Sequence, residues 1–479
     1  MHRDKLILHS RAAWIVWLVV PLASAMHAQT ADLPTAPQVH VLPAAAAQSS
    51  VPDAQAPTPN AQAQSGTQSA ADLGPKLTIE QAEQIALRNN PNISVARLLA
   101  LATAQQVREA RSVEMPTAIG SLTAVDAHPN SRIAAGALNN PIVYERAAGG
   151  LTVSQLITDF GRTHNLVLSA KSSAKAQRES ERATELDVKL TVDQVFYQAL
   201  TTQAVLRVAQ QTVAQRQATV DQVTALTRSK IKSDLDLSFA NVQNAQANLM
   251  LVDAKNNEQS AMAALNDVLG SEANQAYTLV DATDSNPPPV PSDTEPLVQQ
   301  ALQARPDLAA ANDQFTAAKQ YSTAQRDLKL PTVSALAAVG GAPIRADQIQ
   351  SSWYGAAGAN ISIPVFNGFL FNAEDKEARL RAQADQERVR NLRDQIARDV
   401  RTAVLNAQAA FERIGVTQGM LNQANLALDL AQARYKIGLS SIVELTQAQL
   451  AQTEAEIAYT SARYAYQTAL AEVRYQSGQ

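Results

Sequence analysis

The pattern of prolines repeats once along this chain. Asn90-Pro91 and Arg305-Pro306 each open a stretch of helical composition that ends at a second proline, in Met115-Pro116 and Leu330-Pro331. The two prolines of a pair are 25 residues apart in both copies. Solenoid repeats have periods of about 20 to 50 residues, and this unit is several times longer. The pattern therefore predicts a duplicated domain, each copy built from a pair of strands and long helices.

Residues 1–28 have the pattern of a secretory signal peptide. Arg3, Lys5 and Arg11 supply positive charge, and the short apolar stretch Ala12–Leu22 is followed by small residues. A membrane-anchoring helix is the alternative, but the apolar stretch is shorter than the roughly 20 residues that span a bilayer. We therefore expect the mature chain to leave the cytoplasm.

Composition divides the rest of the chain into four segments. The first is rich in Ala, Pro, Gln and Ser, which bury too little apolar surface to fold. Order is expected to begin near Leu77, because Thr78 and Gln81 have the spacing of a capping box. The predicted segments are a disordered leader at 29–75, a first module at 77–270, a linker at 271–293 and a second module at 294–479.

Both modules contain long stretches that favour helices. Arg162–Leu269 is 108 residues without glycine or proline, and Val365–Gln479 contains no proline. Polar turns at Ser229–Asp234 and Gly438–Ser441 are predicted to fold each stretch into two helices, with one unbroken rod as the alternative. Seven-residue spacing predicts coiled-coil-like seams. The seam residues are Val192, Ala199, Leu206, Val213 and Val220 in the first copy, and Leu421, Leu428, Tyr435, Ile442, Ala424, Ala431, Gly438 and Leu445 in the second.

Four short alternating stretches predict membrane strands. In Trp353–Val365 one face is apolar and the other is small or polar, as in a lipid-facing barrel strand. Trp353 and Tyr354 at its start suit a membrane interface. The other three stretches are Thr117–Ala127, Leu151–Thr158 and Thr332–Val339. For any one of them alone, a soluble two-stranded hairpin is the alternative.

Four strands are too few to close a barrel, since about eight are needed to enclose packed side chains. Open strand edges are not viable in lipid, so the chain is expected to associate with copies of itself. A trimer with twelve strands satisfies closure, and the residues alone leave the number of subunits open.

Residue types that carry catalysis or bind metals are scarce. The chain has no cysteine, and none of its six histidines pairs with another at metal-ligand spacing. It contains neither an HExxH motif nor a phosphate-binding loop. With a formal net charge of −4 and no basic cluster, the chain is not expected to bind nucleic acid. We predict no enzymatic activity, no catalytic residue, no metal site and no cofactor.

The order of these features resembles the TolC-type outer-membrane efflux proteins over about residues 77–478. Gln155–Arg162 and Ile363–Phe369 are similar to the family's corners between strand and long helix, and Arg434–Leu439 resembles its periplasmic turn. The resemblance implies a mainly α fold with membrane β-strands. It also implies a homotrimer in which a twelve-stranded outer-membrane β-barrel continues into a periplasmic barrel of twelve helices.

The resemblance further implies an entrance gate at the tip of the helices. Tyr435 matches a gate tyrosine, and Asp236 and Glu444 match acidic residues of the entrance. Ser440 stands where studied members carry an arginine, and Gln447 where they carry a second ring aspartate. We therefore expect weaker cation affinity and a gate without the charge-assisted bonds of an arginine. The alternative is that Glu444 faces solvent outside the tunnel.

The helix–helix turns are expected to dock a periplasmic adaptor. Lys232 is predicted to replace the turn glycine of the first copy. The docking residues are Ser229, Lys230, Lys232, Lys436, Gly438 and Leu439. The implied function is a passive outer-membrane exit duct for efflux or type I secretion, with an adaptor, an inner-membrane pump and outer-membrane lipid as partners. The alternative is a soluble periplasmic coiled-coil scaffold or adaptor, and a porin is disfavoured because strands form little of the chain.

Overall fold

The computed structural model describes residues 75–126, 128, 146–271, 275–281, 289–291, 293–344 and 351–479. The predicted signal peptide, the leader before Pro75 and parts of the predicted linker lie outside these ranges. All described residues belong to one unit, Ser69–Gln479. Within the described ranges, no helix combines the length and the apolar character that crossing a membrane requires.

The two copies contain the same α-helices and strands in the same order, and the second copy adds a 3-10 helix at Asp327–Lys329. The first copy consists of β1 (Lys76–Leu77), α1 (Ile79–Asn89), α2 (Pro91–Ser112), β2 (Thr117–Val125), β3 (Arg146–Thr158), α3 (Arg162–Arg228) and α4 (Asp234–Val268). The second consists of β4 (Thr278–Leu279), α5 (Glu295–Ala304), α6 (Pro306–Arg326), β5 (Thr332–Ile344), β6 (Trp353–Ser362), α7 (Leu370–Lys436) and α8 (Ile442–Gln476). The long helices have 67 and 35 residues in both copies. The predicted duplication is confirmed.

All four predicted strands form one antiparallel sheet, in the order β2-β3-β5-β6. Their ends differ from the prediction, since β3 begins at Arg146 rather than Leu151 and β5 continues to Ile344. The strand β6 ends at Ser362, because Pro364 has no N–H to donate to a ladder. The last predicted residue of the first stretch, Ala127, lies outside the described residues.

Glycines inside β3 and β5 explain why those strands are longer than predicted. Gly150 pairs with Gly340, and Gly340 pairs with Tyr354 on β6. The ring of Tyr354 lies over both glycines, and a Cβ atom at either position would clash with it. Glycine usually signals the interruption of a strand. Here it makes room for an aromatic side chain from a neighbouring strand.

The long helices form antiparallel pairs. Helix α3 packs against α4 and α8, and α7 packs against α8. The helices α2 and α6 pack against α3, and α6 also packs against α7. Each long stretch folds back at its polar turn, so the unbroken rod is excluded. A helix of 67 residues is about 100 Å long at about 1.5 Å per residue.

Most of the predicted seam is buried in the second copy, where Leu421 is half-buried, and a smaller part is buried in the first. Leu428, Ala431, Tyr435, Ile442 and Leu445 are buried, whereas Gly438 lies exposed in the turn. In the first copy Val192 and Ala199 are buried, but Leu206, Val213 and Val220 are half-buried. The buried row of α3 continues instead through Val208, Thr212, Arg216, Thr219 and Val223. A straight helix has 3.6 residues per turn, so its inward face drifts away from a strict seven-residue repeat.

The end of α8 binds the first copy through polar contacts that we call the junction network. Arg474 Nη2 lies 3.2 Å from Asp193 Oδ2, and the Tyr475 hydroxyl donates to Asp187 at 2.6 Å. Beside these contacts and within the second copy, Arg305 forms an ion pair with Asp307 and donates to Gln476. The adjacent apolar core contains Phe196, Leu265 and Tyr464, and the Tyr464 hydroxyl donates to Asp281 at 2.7 Å. This network and core join α1, α3, α4 and α8.

Asp193 is the most perturbed carboxylate of the junction network. Its side chain is buried, and Oδ1 has no hydrogen-bond partner among the described residues. Burial, followed by the neighbouring Glu83 carboxylate, raises the pKa of Asp193 to about 7, although Arg474 acts in the opposite direction. A proton shared with Glu83 would give Oδ1 a partner, so protonation relieves both the burial of charge and the missing hydrogen bond.

Candidate gate and docking turns

The predicted gate and docking residues lie at or beside the two turns that join the long helices. The first turn, Ser229–Ser233, joins α3 to α4, and the second, Ile437–Ser441, joins α7 to α8. Equivalent positions differ by 208, which is 442 minus 234 for the helix starts. We refer to the two turns and the helix ends beside them as the tip.

The backbones of the two turns have the same geometry. The Ile231 N–H donates to Leu226 O at 2.9 Å, and the Leu439 N–H donates to Arg434 O at 2.9 Å. The residue before each donor is left-handed, with φ of 61° at Lys230 and 80° at Gly438. This is the hydrogen-bond pattern of a Schellman motif, which satisfies carbonyl groups at the end of a helix.

The prediction that Lys232 replaces the turn glycine is wrong. Lys230 occupies the left-handed position and is equivalent to Gly438, whereas Lys232 is equivalent to Ser440. The left-handed position follows from where α3 ends, at Arg228, rather than from the polar composition of the turn. A left-handed residue with a Cβ atom costs about 1–2 kcal/mol, so the first turn carries strain that Gly438 avoids.

The two predicted acidic residues are equivalent but make different contacts. The Asp236 carboxylate accepts from the Ser233 N–H at 3.1 Å and from its hydroxyl at 3.0 Å, completing a capping box at the start of α4. Glu444 Oε1 lies instead 3.3 Å from Arg434 Nε, across the second turn. The Glu444 side chain is 45% exposed, so it remains accessible to ions.

Tyr435 lies at the centre of the tip. It is 2% exposed and belongs to an apolar cluster with residues from α3, α4, α7 and α8, including Val223, Ala240 and Ile442. Its hydroxyl has no hydrogen-bond partner among the described residues. Burial and, to a smaller extent, the Asp236 carboxylate raise the pKa of this hydroxyl. Lys232 Nζ lies 4.5 Å from the centre of the Tyr435 ring.

The remaining predicted site residues divide between partly buried and exposed positions. The Ser440 hydroxyl is buried without a partner among the described residues, whereas Gln447 is exposed on α8. The exposed docking residues are Ser229, Lys230, Lys436, Gly438 and Leu439, and Lys232 is half-buried. The tip therefore brings Lys232, Tyr435 and Asp236 together, and leaves Gln447 apart from them.

Sequence reasoning missed a buried polar layer above the tip. Arg216 on α3 is 4% exposed, donates to Gln449 Oε1 on α8, and lies 3.5 Å from Thr446 O. Gln449 Nε2 donates to Thr219 Oγ1 at 3.2 Å. Burial lowers the pKa of Arg216. The available signal was an arginine between the seam residues Val213 and Val220, where a coiled coil ordinarily places an apolar side chain.

Comparison with known proteins identifies the class to which this architecture belongs. The family model described as outer membrane efflux protein matches residues 83–271 and 297–479, which is most of the chain. The chain therefore belongs to the outer membrane efflux protein family. The fold class predicted from the sequence is confirmed, as is a location in the outer membrane with helices extending into the periplasm.

Individual relatives agree with this assignment. The pyoverdine export outer membrane protein OpmQ of Pseudomonas putida is 27% identical over 59% of this chain, and the match spans 60% of the length of OpmQ. The outer membrane protein TolC of Salmonella enteritidis is 23% identical over 78% of this chain and 77% of its own length. A crystal structure of CusC superposes with a TM-score of 0.73 at 22% identity, covering 89% of this chain and 99% of CusC.

Family and fold are those of outer-membrane efflux channels, not of enzymes. The alternative of a soluble periplasmic scaffold conflicts with this location in the outer membrane. Among the described residues, no group of three or more His, Asp or Glu side chains could hold a metal ion.

Proposed function

We propose that this protein is the passive exit duct of a tripartite efflux or type I secretion system. Three copies form a continuous channel through the outer membrane and across part of the periplasm. A periplasmic adaptor and an inner-membrane pump deliver the substrate, and the pump supplies the energy. Membership of the outer membrane efflux protein family supports the duct, and the open edges of the single chain support the assembly.

The observation that best supports assembly is that the described sheet of one subunit has two unpaired edges. Among the described residues, β2 and β6 each have one paired neighbour and one edge without a partner. An exposed strand edge invites pairing with another chain, and an open edge in lipid leaves backbone groups without partners. Pairing β6 of one copy with β2 of the next satisfies both edges, and three copies give twelve strands.

The long helices have matching open sides. Helix α4 carries an exposed apolar row at spacings of three, four and seven residues, formed by Leu235, Phe239, Val242, Leu249 and Val252. Helix α7 carries the exposed apolar residues Val416, Met420 and Leu430, and Ile437 follows in the turn, at spacings of four, ten and seven residues. Rows such as that of α4 are the seams of helix pairs. In the proposed trimer, α4 of one copy packs against α7 of the next.

Replacing one apolar residue in the exposed row of α4 with a charged residue tests whether the subunits associate. Phe239→Lys places a charge in the apolar row of α4, and Asn241→Lys adds the same charge two residues away on an exposed position. We expect F239K to dissociate the detergent-solubilised trimer, measured by light scattering, while N241K remains trimeric. A monomer for the unmodified protein, or recovery in the soluble periplasm, would refute the duct.

The residues of the tip support the proposal of a gate and of a docking surface for the adaptor. Tyr435, Asp236, Glu444 and Ser440 surround the point where the four long helices end, and Gln447 lies one turn higher on α8. The exposed turn residues carry positive charge at Lys230 and Lys436, beside the exposed apolar side chains Ile231, Ile437 and Leu439. Apolar groups rimmed by charge are typical of protein interfaces. We assign the adaptor to these turns.

A substitution of Glu444 tests the proposed gate. Three copies of its exposed carboxylate at the entrance would concentrate cations there. Glu444→Gln removes the charge and keeps the shape, and we expect it to lower the cation-to-anion permeability ratio in planar bilayers. Asp236→Asn is the comparison at the other acidic residue of the tip, and we expect a smaller change there because the Asp236 carboxylate is held in the capping box. Equal permeability ratios in E444Q and the unmodified channel would place Glu444 outside the entrance.

A further inference from the structure

A contact between a cation and an aromatic ring joins the two copies at the tip, beside their shared apolar cluster. Lys232 belongs to the turn between α3 and α4 in the first copy, and Tyr435 to α7 in the second. The Lys232 ammonium lies 4.5 Å from the centre of the Tyr435 ring. This distance is within the range of about 6 Å over which a cation is attracted to the face of an aromatic ring.

The ammonium group of Lys232 has the Tyr435 ring as its neighbour instead of a carboxylate. Among the described residues, no carboxylate oxygen lies within the 4.0 Å of an ion pair with its ammonium. The nearest acidic residue along the chain, Asp236, has its carboxylate bonded to the Ser233 N–H and hydroxyl. Glu444 is paired with Arg434. A half-buried ammonium is therefore stabilised by the ring face and by water.

The surroundings of Tyr435 show that its ring, and not its hydroxyl, makes the contact. The hydroxyl is buried without a hydrogen-bond partner among the described residues. The ring packs into the apolar cluster to which all four long helices contribute. Lys232 covers this ring, so separating the first turn from α7 would expose both the ring and the cluster beneath it.

We propose that Lys232 is the positioning residue that holds the tip shut, through its contact with the ring of Tyr435. Because this inference rests on the proposed gate, it deepens the proposed function. The pseudo-equivalent position in the second copy is Ser440, whose hydroxyl makes no hydrogen bond to the described residues. One copy supplies the cation and the other supplies the ring, so the contact joins the two helical hairpins of one subunit. Opening of the tip requires that it break.

The test uses variants that separate charge, ring and hydroxyl. Lys232→Met removes the charge and keeps the aliphatic stem, whereas Lys232→Arg keeps the cation. Tyr435→Leu removes the ring, whereas Tyr435→Phe removes only the hydroxyl. Arg228→Met is the matched control, because it removes one charge from an exposed residue beside the same turn that belongs to neither the gate nor the docking residues.

The first measurement is the open fraction of single channels in planar bilayers. We expect K232M and Y435L each to raise it by about fivefold or more, from the ordinary strength of such contacts. K232R, Y435F and R228M should stay within about twofold of the unmodified channel, since they leave the cation and ring in place. The double variant K232M/Y435L should open little more than either single variant, because both remove the same contact.

The second measurement does not depend on conduction. The chain has no cysteine, so Ser440→Cys introduces a single thiol at a buried position of the tip. In detergent-solubilised trimers, we expect K232M to accelerate labelling of this thiol by a water-soluble maleimide, while R228M does not.

The outcomes separate the two proposals. If the unmodified protein forms neither trimers nor channels, the proposed function fails. If it forms both, and K232M matches R228M in open fraction and labelling rate, only the role of Lys232 is overturned. If Y435F opens the channel as far as Y435L, the hydroxyl holds the tip and the ring contact is refuted.

Discussion

The two copies are joined differently at the junction network and at the tip. The junction network joins them through the Arg474–Asp193 ion pair and the Tyr475–Asp187 hydrogen bond, beside a core that contains several aromatic side chains. The tip joins them through a smaller cluster with one aromatic ring and one cation. Motion between the copies is therefore expected at the tip, because fewer contacts have to break there.

The largest expected effect comes from a substitution in the aromatic core beside the junction network. Phe196 is 1% exposed, and Phe196→Ala leaves a cavity that costs about 3–5 kcal/mol. We expect a lower melting temperature of the trimer, measured by circular dichroism. Below that temperature, the open fraction of F196A channels should match the unmodified protein. An increased open fraction would show that the gate depends on the junction as well as on the tip.

A second test uses the pH dependence of the junction network. The folded-state pKa of Asp193 is about 7, above its ordinary value of 3.8, so the folded chain retains a proton that the unfolded chain releases. Its contribution to stability is complete below about pH 4 and is lost as the pH rises through about 7. We expect a loss on the order of 1–3 kcal/mol across this range.

Asp193→Asn isolates this contribution. An asparagine can accept from Arg474 and donate to Glu83 at every pH. The groups that surround this position are Glu83 and Glu80 on α1, Lys189 and Tyr197 on α3, and Arg474 on α8. We expect D193N to melt at a higher temperature than the unmodified protein at pH 8 and at a similar temperature at pH 5. Asp187→Asn, in contact with Tyr475, is the control, and the same pH dependence in both variants would exclude Asp193 as the source.

A third test removes one hydroxyl from each region. The Tyr464 hydroxyl donates to Asp281 at 2.7 Å, whereas the Tyr435 hydroxyl has no partner among the described residues. Tyr464→Phe should therefore cost about 1–2 kcal/mol, and Tyr435→Phe should leave stability unchanged or raise it. Chemical denaturation of the two variants measures the difference. Equal losses would mean that the buried Tyr435 hydroxyl has a bonding partner in the assembly.

The smallest test compares the two turns. Lys230 and Gly438 occupy equivalent left-handed positions, and a Cβ atom at Gly438 would meet open space. Lys230→Gly should raise the stability of the first turn by up to about 1 kcal/mol, and Gly438→Ala should lower that of the second by about 1 kcal/mol. Small opposite shifts of the melting temperature are expected. Shifts in the same direction would mean that backbone strain does not distinguish the turns.

The features that could be predicted from the sequence are those controlled by neighbouring residues. The proline spacing, the long stretches without glycine or proline and the capping box at Thr78 all act within a few turns of backbone. The ends of β3 and β5 were less predictable. Gly150 and Gly340 interrupt the alternation, and the ring that fills their space belongs to Tyr354 on another strand.

The site was predictable in position but not in its contacts. The tip and most of its residues follow from the resemblance of two short turns to those of a family. Which of these residues touch could not be predicted, because Lys232 and Tyr435 belong to different copies and lie far apart along the chain. The left-handed residue was assigned to Lys232 instead of Lys230 for a related reason, since the end of α3 sets that position.

By itself, the sequence determined the duplicated architecture, the helical hairpins and the strand pairs, because periodicity and helix-breaking residues act locally. Only the tertiary structure decided how the copies are joined. The burial of Asp193, the polar layer around Arg216 and the contact of Lys232 with Tyr435 each arise where α3 or its following turn meets α7 or α8. Such contacts depend on the relative placement of helices, and no local pattern of residues records that placement.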